Sequence, residues 1–506
     1  MGDACMTSRI KASITAIATS LLLTFGTPAL ADEPVNPLAL VRAFDTAFMN
    51  ADWGAAQAAG ETLLANDRVS FMPAGYRADL HTRVGLAYAS DGDTEAAERH
   101  WAEAELLGAQ RRNILVPAFE TAISRDDGSL ALRYYRELDS DFGETRNTLR
   151  LTQVQSIPDF LHADGEHDRE AEALALITAS YTPDNPFAHL DSLTYRHIRS
   201  RVERGLVDDA MALLPDMTSA ASARRLRVLN LFEPLWSQPD FDSLTDLRAE
   251  TLDLLERSRA DSAAYPNHLE PVIDQMAYLV GLGRLEEASG LVSTTWRRMR
   301  SGESFEDADE QAAWMLDRWA RIELGLGRIA FGKATLERGS NVNENGMLNV
   351  SQHINLAHLE VDLGEDRAAL NRLSDMEARG ASEYGWLQVH LARACAASAL
   401  DEPDILTTSL AFAEDHRALD PWGYETLLIC LGREDDAAAH ILQRLNDPSE
   451  AEALVVDLQP REPRYSDPAF VRYHAEREAR ARILERPDIQ AAIARTGRIE
   501  TVRIRD

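Results

Sequence analysis

His162 and His167 flank a short segment that also carries Asp164 and Glu166, residue types that can hold a transition-metal ion. Their spacing matches no pair of ligands on one helix face, so a solvated turn without metal is the expectation. Carboxylates occur in pairs at Asp126-Asp127, Asp208-Asp209 and Asp435-Asp436, and cleavage of a glycosidic bond needs two such groups held ~5 to 9.5 Å apart across a sugar. Each pair falls at an expected turn or helix start, where a negative charge favours the helix dipole. Cys395 and Cys430 lie 35 residues apart. A disulfide needs Cα atoms within ~7 Å, while adjacent packed helices sit about 8 to 10 Å apart, so two buried thiols are expected. Lys333 is the only lysine after residue 31, which argues against lysine-based covalent catalysis. The chain contains no His-Glu-x-x-His, no phosphate-cradling Gly-x-x-x-x-Gly-Lys, no Gly-x-Ser-x-Gly and no Cys-x-x-Cys. The expectation is therefore no catalytic residue, no cofactor, no metal and no enzyme.

The segment 1–31 reads as a secretory signal: Arg9 and Lys11 precede an apolar run from Ile14 to Phe25 and then Ala29-Leu30-Ala31, with cleavage expected after Ala31. That run is shorter than the ~20 residues a spanning helix needs. Cys5 precedes it, so lipid attachment at the cleavage site is not expected. The product is expected to be periplasmic or secreted, with no integral membrane segment. The net charge of −31 is spread along the chain, which makes nucleic acid and anionic membrane poor partners and a basic partner compatible. Asn349-Val350-Ser351 has the form of a glycosylation acceptor, although the arginine bias and the Ala-x-Ala site look bacterial.

What positions these residues is a recurring figure of helix, Gly-acid turn and helix. Its clear turn glycines are Gly92, Gly165, Gly205, Gly283, Gly327, Gly364 and Gly432, separated by 73, 40, 78, 44, 37 and 68 residues. The large gaps are about twice the small ones, so a unit of roughly 34 to 44 residues fits throughout. Skipped units have weaker turns near Gly128, Gln238 and Asp401. Apolar residues recur three and four apart, as in Leu356, Leu359 and Leu363 before Gly364. The acids after glycine, in Gly92-Asp93, Gly165-Glu166 and Gly364-Glu365, are read as starting the next helix.

In residues 78 to 109 the pattern resembles the tetratricopeptide repeat, with Gly85, Tyr88, Gly92, Ala97, Trp101 and Ala104 at its small, aromatic, turn, small, large and small positions. Gly85 and Ala97 let the two helices approach, and Tyr88 and Trp101 fill the groove between hairpins. Trp296 and Trp386 are likewise read as core. Weaker copies occur at Gly205, Val207 and Ala210, at Gly283, Leu285 and Ala288, at Gly364, Asp366 and Ala369, and at Gly432 and Ala437. The first unit, with Phe44, Asp52, Trp53, Ala56 and Leu63, lacks the turn glycine. The resemblance implies an all-α, right-handed α-solenoid over residues 32–448. After it, Pro460, Pro463 and Pro468 break the chain before an arginine-rich helix near Ala469 to Leu484 and a last helix from Pro487 to Ala494. Residues 449–506 are read as a C-terminal helical cap with a tail, where Ile499, Thr501 or Val502, and Ile504 form a short strand or a frayed end.

The resemblance also implies ligand contacts on the inward face of the first helices. Those positions are Asp159 and His162 before Gly165, Tyr195, Arg199 and Glu203 before Gly205, Trp314, Asp317 and Arg321 before Gly327, and His358 and Asp362 before Gly364. Aromatic, arginine and acid together suit peptide recognition. The function expected is a non-enzymatic protein–protein interaction scaffold or adaptor of the bacterial envelope or periplasm, binding a protein or peptide partner. Two alternatives stand: a carbohydrate-active enzyme on an all-helical toroid, and a regulatory repeat module that binds a small ligand.

Overall fold

Left-handed backbone recurs at the turns the sequence marks. In the computed structural model, which describes residues 37–183, 185, 187–342, 349–376 and 380–500, the seven turn glycines all have φ between 71° and 98°, which glycine adopts without a Cβ penalty. Weak turns use other residues in the same conformation: Ala51 (φ 57°), Asp126 (56°), Asp240 (67°) and Asp401 (53°). Aspartate tolerates this region because its short side chain bonds the nearby backbone. The turn expected near Gly128 therefore belongs to Asp126, and Asp127 caps the next helix by accepting from the Leu130 N–H at 2.8 Å. Residues 1–31 with their expected cleavage site, and Thr501, Val502 and Ile504 in the tail, lie outside the described residues.

The chain divides into two compact units, Met1–Ala188 and His189–Asp506. The first contains α1 (Pro37–Met49), α2 (Trp53–Leu64), α3 (Ala74–Asp91), α4 (Thr94–Leu106), α5 (Arg111–Ser124), α6 (Gly128–Asp141), α7 (Leu151–Ala163) and α8 (His167–Ser180). These pair in sequence into four hairpins, each packed on the next. Trp101 is fully buried; its ring meets Tyr134 of the following hairpin at 6.0 Å, and its Nε1 donates to the Thr82 carbonyl at 3.2 Å. Gly85 makes room for it, since a Cβ there would lie 2.4 Å from Trp101 Nε1.

The second unit contains α9 (Asp191–Glu203), α10 (Val207–Leu213), α11 (Ala220–Val228), α12 (Leu247–Ala264), α13 (Glu270–Gly281), α14 (Leu285–Arg300), α15 (Ala308–Gly325), α16 (Ile329–Ser340), α17 (Val350–Asp362), α18 (Asp366–Arg372), α19 (Glu383–Ala399), α20 (Pro403–Asp415), α21 (Pro421–Cys430), α22 (Glu434–Leu445), α23 (Ala451–Asp457), α24 (Val471–Leu484) and α25 (Pro487–Thr496). Its end returns to its beginning. Asn230 Nδ2 donates to the Ala494 carbonyl at 3.0 Å, the Arg498 N–H donates to the Val228 carbonyl at 2.8 Å, and Arg227 Nε donates to Glu500 at 3.1 Å. Beneath these bonds Phe232, Leu454, Val455, Ile489 and Ile493 share one core. The unit is thus closed on itself, because burying these side chains together gains more than leaving the last helices as a wet polar end. The tail forms one isolated bridge, Leu229 with Gly497. No helix among the described residues is long and apolar enough to cross a membrane.

One local expectation is corrected. Cys395 and Cys430 form a disulfide between α19 and α21, with Cα atoms 5.9 Å apart. Alanines 392, 394 and 396 are buried on α19, and such small side chains let the neighbouring backbone come closer than ordinary helix spacing. Asn349 is 1% exposed and caps α17 by accepting from the Gln352 N–H at 2.9 Å, so it is no glycosylation acceptor in the folded protein. Of the three acids after turn glycines, Asp93 caps its helix, accepting from Ala96 N–H at 2.9 Å. Glu166 and Glu365 likewise stand at the starts of α8 and α18, with their side chains engaged by Ser129 Oγ at 2.6 Å and by Lys333.

Candidate functional site

Helical spacing places Trp314, Asp317 and Arg321 along α15, three and four residues apart, and His358 and Asp362 four apart on the neighbouring α17. Asp317 is buried and accepts from Arg321 Nε at 2.8 Å and from Asn355 Nδ2 at 3.2 Å, tying the two helices together. His358 is half-buried, with Nε2 3.0 Å from the Gln388 carbonyl on α19. Trp314 remains 41% exposed.

The segment Pro460–Phe470, between α23 and α24, runs over this strip. Tyr465 (4% exposed) and Phe470 (0%) enter a core with Ala320, Leu324, Leu336, Leu356 and Leu359 of α15, α16 and α17. Their rings stack with centroids 4.1 Å apart. The Arg321 guanidinium lies near enough to the Tyr465 hydroxyl for the two to interact electrostatically. Behind the segment, Arg472 on α24 donates to the Val361 carbonyl at 2.8 Å and to Asp366 Oδ2 at 2.8 Å, which fixes α24 to the turn between α17 and α18.

This cover sets the electrostatics. Burial pushes the Asp362 carboxyl up to about 7, with Glu476 adding to the rise and Arg321, Arg464 and Arg472 opposing it. Burial also lowers the His358 imidazole, favouring its neutral form. A half-buried carboxyl, a buried ion pair and an apolar pocket for two rings make a surface suited to holding an extended chain.

The other sequence-marked residues lie apart from this strip. Tyr195 is buried, packing on Phe232 at 5.7 Å with Arg225 over its ring at 5.4 Å. Arg199 reaches Glu452 Oε1 at 3.2 Å and Glu203 Oε1 at 2.8 Å, joining α9 to α23. Asp159 and His162 are exposed on α7 in the first unit. Trp296 is half-buried under Arg338, 5.9 Å from its ring, and Trp386 packs against the large core of the second unit.

Sequence reasoning missed Tyr465 and Phe470, and it placed Arg472 on the arginine-rich cap helix without its partners Val361 and Asp366. The prolines at 460, 463 and 468 signal an extended stretch but carry no information about which hairpins it meets more than a hundred residues earlier. It also missed Glu425 on α21, fully buried, which accepts from Arg444 at 2.8 Å, lies 3.0 Å from His440 Nδ1 and meets Arg480 of α24 at 3.4 Å.

No family model matches the chain, and no curated protein matches it. Among solved structures it is similar to an APC/C hetero-tetramer, Cut9–Hcn1, at 12% identity over 96% of this chain and 98% of that one, with a TM-score of 0.29. It is also similar to Naa15/Naa10 bound to HypK-THB, at 12% identity over 84% and 70% of the two chains and a TM-score of 0.22. A circular tandem repeat protein with novel repeat topology gives 13% identity over 90% and 96%, with a TM-score of 0.14. The architecture therefore rests on the helices themselves: the chain is an all-helical array of hairpin repeats, and its α3–α4 hairpin packs Gly85 on Trp101 as the tetratricopeptide resemblance implies.

Proposed function

We propose that this protein is a non-enzymatic interaction scaffold of the bacterial envelope or periplasm whose hairpins capture extended peptide segments. The observation that carries this reading is the seating of Pro460–Phe470 over α15, α16 and α17. There a proline-interrupted stretch is held by two aromatic anchors, with the Arg321 charge close to Tyr465. A surface that retains such a segment of its own chain has the chemistry to bind one from a partner. The net charge of −31 favours basic partner segments. The Cys395–Cys430 disulfide supports an oxidising compartment, in line with an exported chain.

The test is site-specific photo-crosslinking in the native envelope, with the crosslinker at the position of Trp314, followed by mass spectrometry of the joined peptides. The expected result is a small, reproducible set of partner segments. Absence of crosslinked partners, together with cleavage of an envelope glycan by the purified protein, overturns the reading.

A carbohydrate-active enzyme is the second reading, favoured by the closure of the second unit and by the raised Asp362 carboxyl. It requires the segment over Asp362 to withdraw and admit a sugar. Glycan cleavage that disappears in Asp362→Asn establishes it.

A further inference from the structure

The turn between α7 and α8 brings together three side chains from positions 162, 167 and 170. Gly165, at φ 73°, reverses the chain so that the last turn of α7 faces the first turn of α8. His162 Nδ1 lies 2.9 Å from Glu170 Oε2, and His167 Nδ1 lies 3.5 Å from the same oxygen. One ligand atom from each residue falls within 4.8 Å of the others. Metal bonds of about 2.0 to 2.2 Å at tetrahedral angles place neighbouring donors roughly 3.3 to 3.6 Å apart, so the two separations from Glu170 need little adjustment and the two imidazoles, with donors within 4.8 Å, would close further on one ion.

Neighbouring contacts select Glu170 as the third ligand. Glu166 is drawn aside by Ser129 Oγ at 2.6 Å and Arg169 Nη1 at 2.9 Å. The Glu170 side chain is 13% exposed and anchors the site, whereas both imidazoles are 65% exposed. Their Nδ1 atoms converge on one carboxylate oxygen, and the solvent side stays open.

We propose that His162, His167 and Glu170 bind one divalent transition-metal ion of the zinc class, with an outward position left for water or for a donor side chain from a partner. Two imidazoles and one carboxylate suit zinc, nickel or copper(II); calcium and magnesium favour all-oxygen sets. This site lies in the first unit and does not depend on the peptide-binding reading.

The experiment is calorimetric titration of the untagged, full exported chain with zinc chloride alone near neutral pH, with calcium and magnesium titrations alongside. The expected result is one zinc equivalent bound, weakened roughly tenfold or more by His162→Ala, by His167→Ala and by Glu170→Gln, and unchanged by altering the exposed His189 of the second unit, His189→Ala. Both imidazoles are largely exposed, so the histidine variants should stay folded, and melting curves check that Glu170→Gln does as well. Cobalt(II) in place of zinc gives a visible spectrum that reports its coordination. Absence of zinc binding, equal binding by the variants, or equal binding of calcium overturns the proposal.

Discussion

The Arg480 guanidinium lies over the Trp422 ring, 3.6 Å from its centroid, while its Nη2 donates to Thr426 Oγ1 at 2.7 Å and its Nη1 meets the buried Glu425 carboxylate at 3.4 Å. This stack explains why Trp422 remains at the surface and why α24 lies across α21. A planar guanidinium can cover an aromatic face and satisfy a carboxylate at the same time, which an ammonium group cannot.

Glu425 should therefore be a point of acid sensitivity. Burial pushes its carboxyl up, but hydrogen bonds from His440 and Arg444 and the charge of Arg480 outweigh that and hold it below its ordinary value of 4.5. The stabilisation is fully present above that value and is lost as pH falls through the lowered folded one. Glu425→Ala, which strands buried positive charge, should cost about 3 to 5 kcal/mol in thermal or denaturant melts at neutral pH. A cost below a tenth of that removes the network from the account of stability.

Asp362 should show the opposite slope. With its carboxyl raised to about 7 by burial and by Glu476, the folded state holds an extra proton above the ordinary range, and stability declines as pH rises from about 4 to about 7. Asp362→Asn, which stays neutral, should raise the melting temperature at pH values above 7, an effect of about 1 to 3 kcal/mol. Near pH 4 the two proteins should melt together. An equal shift at both pH values refutes the assignment.

Reduction of Cys395–Cys430, or Cys395→Ser with Cys430→Ser, should lower stability by about 2 to 4 kcal/mol, since the bridge closes a loop between residues 35 apart. Melting with and without reductant measures it, and the double variant should be insensitive to reductant.

Tyr465→Ala with Phe470→Ala should release the segment over α15–α17. Trypsin should then cut after Arg461 and Arg464 faster than in the unaltered chain, and crosslinking from position 314 to partner segments should increase. Unchanged cleavage means that these two rings do not hold the segment.

Gly85→Leu tests the hairpin register. The new side chain collides with Trp101 Nε1 and the Ala97 carbonyl, so it should cost about 1 to 3 kcal/mol or more, whereas Gly54→Leu, at a position with open space around it, should cost less.

The hairpin array was legible because its causes are local. A left-handed glycine, an apolar residue every third or fourth place and a small residue facing a large one all act within one repeat of chain. The turn at Asp401 was read directly, and those at Asp126 and Asp240, placed two residues off at Gly128 and Gln238, could have been found the same way, since aspartate is a common substitute in that conformation. The candidate strip was half legible: Trp314, Asp317, Arg321, His358 and Asp362 share neighbouring helices, but helical phase alone did not reveal that Asp317 is buried or that the chain itself covers the strip.

Sequence alone determined the helical class, the period of the repeat and the acidic surface, since each follows from residue type and spacing along a single segment. Tertiary structure decided what those segments meet. The approach of α19 to α21 brought Cys395 to Cys430, the return of the chain joined Arg227 to Glu500, and the path after Pro460 set Tyr465 against Arg321. These contacts depend on how closely helices approach and where the chain returns, which residue order does not encode locally. At the turn of Gly165 the two levels meet: the sequence put His162 and His167 beside a glycine, and the folded turn chose Glu170 over Glu166 as their companion.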